Sequence, residues 1–193
     1  MSNVLKLWAA WLRGPQTVGA VAPSSPQLAR RMLETIHRPD AGLVVEVGAG
    51  TGPITRVLSQ KLPPQRLIVV ERDPQLCAHL REDFPDYRIV EADAGELCAH
   101  VEGISDQPVT AVVSALPLLS LNAGLRSRII AQIAQLIGDH GQLVQFTYGW
   151  GSPVPASDAR AHGLIGQRAG FVWRNLPPAM VWSYQRQPGK TSP

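Results

Sequence analysis

The chain has 193 residues, 45% of them hydrophobic and 17% charged, which suits one globular domain and excludes wholesale disorder. Its formal net charge of +3 is too small to indicate a nucleic-acid partner by itself. Cys77 and Cys98 have no metal-ligand spacing, no apolar run could span a bilayer, and no secretory signal opens the chain, so we expect a cytoplasmic protein without metal.

The first element in the chain is an amphipathic helix predicted over residues 3–13. At helical spacing its apolar face carries Trp8 and Trp11, while Lys6 and Arg13 fall on the opposite face. Such a helix is too short to cross a bilayer but suits the surface of one. The alternative is an ordinary helix packed on the rest of the domain.

An apolar loop over residues 17–25 follows this helix and leads to a second helix that starts at Pro26. We expect the loop, which includes Thr17 and Gly19, to fold over a bound cofactor and to shape the entrance for the substrate. The sequence therefore divides at residue 25. Residues 1–25 form a membrane-binding helix and active-site cover, and residues 26–193 form the main domain.

Strands and helices alternate after residue 40. The predicted strands are residues 43–47, 67–71, 87–90, 109–114 and 143–148, and the predicted helices are residues 53–62, 74–84, 94–101 and 123–137. Continuous apolar strands between helices indicate a parallel sheet covered on both faces. Two more strands, 170–174 and 180–184, are joined too closely for a parallel crossover and should pair antiparallel. We expect a doubly wound α/β fold with seven strands and an antiparallel C-terminal hairpin.

The first strand runs directly into a glycine-rich loop, Gly48-Ala49-Gly50-Thr51-Gly52. Glycines allow a sharp turn and let a ligand approach the backbone, and the following helix N-terminus faces the same crevice. Pro53 stands where a dinucleotide fingerprint would have its third glycine, which argues against NAD. Glu46, a carboxylate inside an apolar strand, would pair with the ammonium of S-adenosylmethionine (SAM), or else with a neighbouring Arg or backbone amides.

Acidic residues also stand at the ends of the next two strands. Glu71, followed by Arg72, lies about 20 residues beyond the glycine loop, at the position that commonly binds ribose hydroxyls. Asp73 is the expected cap of the next helix. Asp93, before Ala94, would either accept a hydrogen bond from an adenine amino group or cap the short helix that follows.

Residues 40–150 resemble the class I SAM-dependent methyltransferases in this loop and these acids. The resemblance implies SAM as cofactor and S-adenosylhomocysteine as product. It implies that Glu46 serves the methionine end of SAM and Glu71 its ribose, and that Asp93 and Ala94 serve the adenine.

The acceptor side begins where the fourth strand ends, at Ser114-Ala115-Leu116-Pro117-Leu118. Methyltransferases of planar amino groups usually carry an aromatic residue where this chain has Leu118, so an adenine acceptor lacks its stacking platform. An aliphatic amine fits better, with Ser114 and Leu116 beside it. Tyr148, after the fifth strand, would orient the amine and favour a quaternary product by a cation–π contact, or it is simply a core tyrosine.

A narrower resemblance extends over nearly the whole chain. Residues 13–25, 114–121, 145–149 and 172–179 are similar to bacterial phospholipid N-methyltransferases. That family implies methylation of phosphatidylethanolamine, in up to three steps, toward phosphatidylcholine. It also implies a peripheral enzyme that binds anionic membrane through its first helix. Arg174, beside Asn175, would hold the lipid phosphate or pair with an acid on the sheet.

Two other functions compete with lipid methylation. An rRNA adenine dimethylase shares the fold and the Leu-Pro turn, but we expect no extra helical domain after the sheet to bind RNA. A SAM-binding or membrane-docking protein without catalysis would keep the same loop and acids. We expect a monomer with no metal and no nucleic-acid partner, peripherally associated with the inner face of the cytoplasmic membrane.

Overall fold

The computed structural model describes residues 25–187, which form a seven-stranded sheet in the order β3-β2-β1-β4-β5-β7-β6. Strands β1 to β5 are mutually parallel, and β7 pairs antiparallel with both β5 and β6. The strands are β1 Leu43–Val47, β2 Leu67–Glu71, β3 Arg88–Glu91, β4 Val109–Ser114, β5 Gln142–Thr147, β6 Leu164–Val172 and β7 Ala179–Arg186. This is the predicted doubly wound fold with its antiparallel C-terminal hairpin.

Helices cover both faces of the sheet. They are α1 Pro26–Thr35, α2 Pro53–Leu58, α3 Pro74–Asp83, α4 Leu97–Glu102, α5 Ala123–Ile137 and α6 Ala156–Ala161. Side chains of α1, α2 and α3 pack in one core with Val44 and Val113, and those of α4 and α5 pack in a second core with Val45 and Val112. Neighbouring residues of β1 and β4 thus face opposite layers, which is why these strands read as continuous apolar runs.

Short polar side chains set where three helices begin. Ser25 accepts a hydrogen bond from the N–H of Leu28 at the start of α1, and Asn122 accepts one from Leu125 at the start of α5. Asp73 accepts two backbone N–H bonds at the start of α3, as expected from the sequence. Each bond satisfies an N–H that has no partner within its own helix.

Two helical regions differ from the sequence-based prediction. Helix α2 ends at Leu58 instead of continuing to residue 62, because the hydroxyl of Tyr87 donates to the carbonyls of Ser59 and Leu62 and holds this segment as a turn. Helix α6 was not predicted, since it directly follows a stretch rich in glycine and proline, residues 149–155.

The C-terminal hairpin is antiparallel as expected, but its first strand lies elsewhere. Strand β6 spans Leu164–Val172, so Trp173 and Arg174 belong to the turn and not to the strand. Because β6 is the edge strand, only its two end residues are buried, and its glycines and Arg168 hide the alternating pattern of a strand. The turn over residues 173–178 lies at the same edge of the sheet as the carboxyl ends of β1 to β5.

No helix within residues 25–187 is long and apolar enough to cross a membrane.

Candidate functional site

The glycine loop at the end of β1 adopts a backbone that only glycine accepts readily. Gly48, Gly50 and Gly52 have φ values of 76°, 60° and 80°. The N–H of Gly48 donates to the carbonyl of Val70 at 2.9 Å, which ties the loop to β2. A Cβ atom at Gly48 would lie 2.7 Å from Cδ2 of Leu116, so side chains are excluded where the loops after β1 and β4 meet.

Glu46 lies on β1 directly before this loop and is completely buried. Neither carboxylate oxygen has a hydrogen bond of normal geometry, and no Arg or Lys forms an ion pair with it among the described residues. Burial raises the pKa of Glu46 to about 8, although the hydroxyl and backbone N–H of Thr55 on α2 partly offset that rise. A buried carboxylate without a full partner is unfavourable and favours a cationic ligand nearby.

Glu71, at the end of β2, holds the glycine loop from the other side. One carboxylate oxygen accepts the N–H of Gly50 at 2.9 Å, and the other accepts the N–H groups of Arg72 and Asp73 at 2.7 and 3.0 Å. The side chain is thereby fixed beside the loop, where a ribose bound in the crevice would lie. Arg72 is exposed, and the structure gives its side chain no ion pair among the described residues.

Asp93 and Ala94 follow β3 at the same edge. Oδ1 of Asp93 accepts the N–H of Gly95 at 2.7 Å, so the carboxylate caps the short 3-10 turn Ala94–Glu96. This cap uses one oxygen of a half-buried carboxylate. The structure thus shows the capping role of Asp93, and the contact with an adenine amino group stays a prediction.

The residues of this half of the edge fit SAM. The buried carboxylate of Glu46 suits the ammonium group of the methionine moiety, the glycine loop lets the backbone approach it, and three backbone N–H bonds hold Glu71 beside the loop. No group of three or more metal-ligating side chains occurs in the part of the chain that the structure describes.

The loop after β4 forms the other side of the crevice. Ser114 is completely buried, and its Oγ accepts a hydrogen bond from the N–H of Leu116, so this hydroxyl stabilises the turn after β4. Leu116 is half-buried and packs over Gly48. Gln145 of β5, which the sequence analysis did not select, donates from Nε2 to the carbonyl of Leu116 at 3.0 Å. The sequence signal for this contact is a polar residue, Gln145, inside an otherwise apolar strand.

Tyr148 follows β5 and is half-buried, with its ring packed edge-on against Phe146 at 5.4 Å. Burial raises the pKa of Tyr148, and a hydrogen bond with the side chain of Asn175 partly offsets that rise. The hydroxyl therefore stays protonated at neutral pH and can act as a fixed polar group, but it is not a ready base.

Asn175 is buried and connects three segments, which the sequence did not suggest. Its Oδ1 accepts the N–H of Ser25 at 3.0 Å, and its Nδ2 donates to the carbonyl of Pro177 at 2.7 Å. Together with the Tyr148 contact, these bonds join the start of α1, the loop after β5 and the β6–β7 turn. Asn175 thus ties together segments that are distant in the sequence.

Arg174 is exposed and forms no ion pair with any acid among residues 25–187, so the expected pairing on the sheet surface does not occur there. The other residues assigned to the acceptor, Thr17 and Gly19, lie outside the described residues. The same is true of the membrane-binding set, Lys6, Trp8, Trp11 and Arg13.

Comparison with known proteins places this site among methyltransferases. No protein-family model matches the chain. The chain is 34% identical to the ornithine lipid N-methyltransferase of Singulisphaera acidiphila over 168 residues, which cover 84% of this chain and 85% of that protein.

Solved methyltransferase structures share the fold at low sequence identity. A TehB-like SAM-dependent methyltransferase from Corynebacterium glutamicum matches with a TM-score of 0.60 and 21% identity, covering 95% of this chain and 98% of the other. A SAM-bound amino pentose methyltransferase from Micromonospora echinaspora matches with a TM-score of 0.58 and 16% identity, covering 94% and 97%.

Proposed function

We propose, from the premise that this chain belongs to the family of the ornithine lipid N-methyltransferase and is a SAM-dependent methyltransferase of class I, that it methylates the amino group of a membrane lipid. The proposed substrate is phosphatidylethanolamine, followed by its mono- and dimethyl derivatives, toward phosphatidylcholine. The proposed location is the inner face of the cytoplasmic membrane, with the protein bound peripherally.

The observation that carries this proposal is the extent of the relationship to a lipid N-methyltransferase. The alignment covers 84% of the chain, and therefore includes more than the cofactor half of the sheet edge. A match limited to the glycine loop and the acids would support SAM binding alone, because many unrelated activities share that half.

The loop after β4 also supports an aliphatic amine as acceptor. Leu118 takes the place where a planar-base methyltransferase usually has an aromatic ring, and it is only 2% exposed, packed in the core beneath α5. Neither stacking on a base nor contact with it is available from this position. This argues against the rRNA adenine alternative.

Each residue of the site has a proposed role. Glu46, Glu71, Asp93 and the loop from Gly48 to Gly52 would hold the cofactor. When bound, SAM supplies an electrophilic methyl group that a nitrogen lone pair accepts, leaving S-adenosylhomocysteine. Leu116 and its buried neighbours exclude water from the crevice, and Tyr148, held by Asn175, orients the amine toward it.

On the acceptor side Arg174 is the proposed partner of the lipid phosphate, because its guanidinium is exposed and has no acidic partner among the described residues. The ammonium of the headgroup must lose one proton to water before its lone pair can react. Tyr148 stays protonated at neutral pH, and Glu46 is assigned to the cofactor, so we assign this proton to solvent.

The test is a transfer assay with purified full-length protein, methyl-labelled SAM and vesicles of phosphatidylethanolamine and an anionic lipid, followed by organic extraction and chromatography. Parallel reactions contain an ornithine lipid or, as a control without a methylatable amine, phosphatidylcholine alone. We expect label in mono-, di- and trimethylated products of phosphatidylethanolamine.

Label only in the ornithine lipid would retain lipid N-methylation and overturn the proposed headgroup. Label in neither lipid, by a protein that binds SAM in calorimetry, would overturn the function itself. Transfer of label to RNA in that case would favour the adenine methyltransferase alternative, and no transfer to any acceptor would favour a protein that binds SAM without catalysis.

A further inference from the structure

The acceptor side of the carboxyl edge of the sheet has an unusual surface composition. Five large hydrophobic side chains are strongly exposed among the described residues: Leu119, Trp150, Ile165, Trp173 and Leu176. All except Ile165 lie in three loops at the carboxyl edge, residues 115–122, 148–155 and 173–178. Solvent-exposed hydrophobic residues usually scatter over a surface, so this concentration on one edge indicates a contact surface.

Part of this surface is continuous. The indole of Trp150 stacks on Phe171 with ring centroids 5.4 Å apart, and Phe171 meets Trp173 edge-on at 4.4 Å. Arg168 donates to the carbonyl of Trp150 at 3.0 Å and fixes that loop. Trp150 and Trp173 nevertheless remain 69% and 74% exposed, and Leu176, in the same turn as Trp173, is 78% exposed.

The charges on these loops are as uneven as the hydrophobic residues. The three loops contain no acidic residue and a single cation, Arg174. The loops after β2 and β3, on the cofactor half of the same edge, carry three acids, Asp73, Asp93 and Glu96, and one cation, Arg72. Tryptophan, leucine and arginine without acids suit an interface with anionic headgroups, where indoles sit at the level of the headgroups and arginine meets phosphate.

We propose that the side chains of Leu119, Trp150, Trp173 and Leu176, here called the interfacial patch, insert into the surface of an anionic lipid bilayer. The patch thereby orients the crevice toward the lipid headgroups, in addition to any contact made by the N-terminal segment. The orienting role of the patch rests on the proposed function. Membrane binding by the patch can be measured independently of methylation.

The place where the N-terminal segment joins the described chain supports a bilayer as the occupant. Ser25 is held by Asn175, in the same turn as Trp173 and Leu176. The segment predicted to lie on a membrane therefore connects to the domain at the edge that carries the patch.

The test compares full-length wild-type protein with the double variant Trp173→Ser/Leu176→Ser, and uses Ile165→Ser as a matched control. Ile165 is 55% exposed but lies on β6, away from the three loops. Circular dichroism and SAM affinity first establish that each variant is folded. Co-sedimentation then uses vesicles of phosphatidylethanolamine and phosphatidylglycerol. We expect about tenfold weaker binding for the double variant and wild-type binding for Ile165→Ser.

Methylation is measured on the same vesicles and on a short-chain phosphatidylethanolamine below its critical micelle concentration. The double variant should lose activity on vesicles and retain it on the soluble lipid. Unchanged vesicle binding would overturn the inference, as would an equal loss of activity on both lipids, which would assign the turn to headgroup recognition. A wild-type dimer that the double variant converts to a monomer would make the patch an interface between copies.

If wild type binds vesicles but methylates neither lipid, the proposed function fails, and the binding comparison still decides the role of the patch.

Discussion

The carboxyl group of Glu46 is completely buried, and this burial determines its protonation state. Desolvation raises its pKa to about 8, so the carboxyl is largely protonated at neutral pH when no cation is nearby. An ammonium group bound against it would favour the ionised form and lower its pKa again. Cofactor binding should therefore be coupled to proton release at this residue.

We predict that SAM binding near pH 7 releases most of one proton from the wild-type protein and none from Glu46→Gln. Isothermal calorimetry in buffers of different ionisation enthalpy measures this proton count directly. The variant should also bind SAM more weakly, because the amide cannot ionise. Equal proton release in both proteins would remove Glu46 from the cofactor site.

A second residue-scale prediction concerns Gly50. Substitution by Val forces a β-branched residue to φ of 60° and places its side chain in the loop, so we expect no measurable SAM binding. Gly138→Val is the matched control, because Gly138 also has a positive φ, 52°, and a Cβ atom there meets no atom within 4 Å. The control should lower the free energy of unfolding by roughly 1–3 kcal/mol and leave SAM affinity intact.

At the scale of elements, Asn175 joins α1, the loop after β5 and the β6–β7 turn. We predict that Asn175→Ala lowers the free energy of unfolding by about 2–3 kcal/mol, since it leaves the partly buried N–H of Ser25 and the carbonyl of Pro177 without partners. Asn122→Ala, which removes only the cap of α5, should cost about 1 kcal/mol. Chemical denaturation measures both, and equal losses would contradict a connecting role for Asn175.

The sequence predicts some elements better than others for physical reasons. Strands β1, β2 and β4 match their predicted limits because both faces are buried and each ends at a polar residue or glycine. Strand β6 was placed six residues too late, since an exposed edge strand has no alternating apolar pattern to detect. Its partner β7 is buried and was recognised, although with fewer residues.

For the molecule as a whole, the buried Glu46 predicts how stability changes with pH. Below pH 4.5 the carboxyl is protonated in both folded and unfolded chains, and above about 8 it is ionised in both. Between these values only the folded chain keeps the proton, so this group makes the free energy of unfolding fall as pH rises. The fall is on the order of a few kcal/mol.

Denaturation of SAM-free protein at several pH values tests this. The free energy of unfolding of wild type minus that of Glu46→Gln should fall between pH 4.5 and pH 8. Saturating SAM should make this difference less dependent on pH. A constant difference between the two proteins would mean that the carboxylate has a partner that stabilises its charge.

The two halves of the site differ in how far the sequence predicts them. The glycine loop, Glu46 and Glu71 form a local pattern whose spacing is tied to successive strands, so their meeting at one edge follows from the fold class. Trp150, Phe171 and Trp173 come together only because β7 reverses direction beside β5, and no periodicity in the chain encodes this. The Ser25–Asn175 contact spans 150 positions and is equally hidden.

That contact has a consequence for chimeric enzymes. In the proposed site, the middle of the chain would supply the cofactor half of the crevice. The region near residue 25 and the C-terminal hairpin, which are joined through Asn175, would supply the acceptor half. Recombination between relatives that replaces only one end should break this junction and give a protein that binds SAM but transfers poorly. Exchange of both ends from one parent should carry that parent's lipid preference with it, so the two ends are expected to be inherited together.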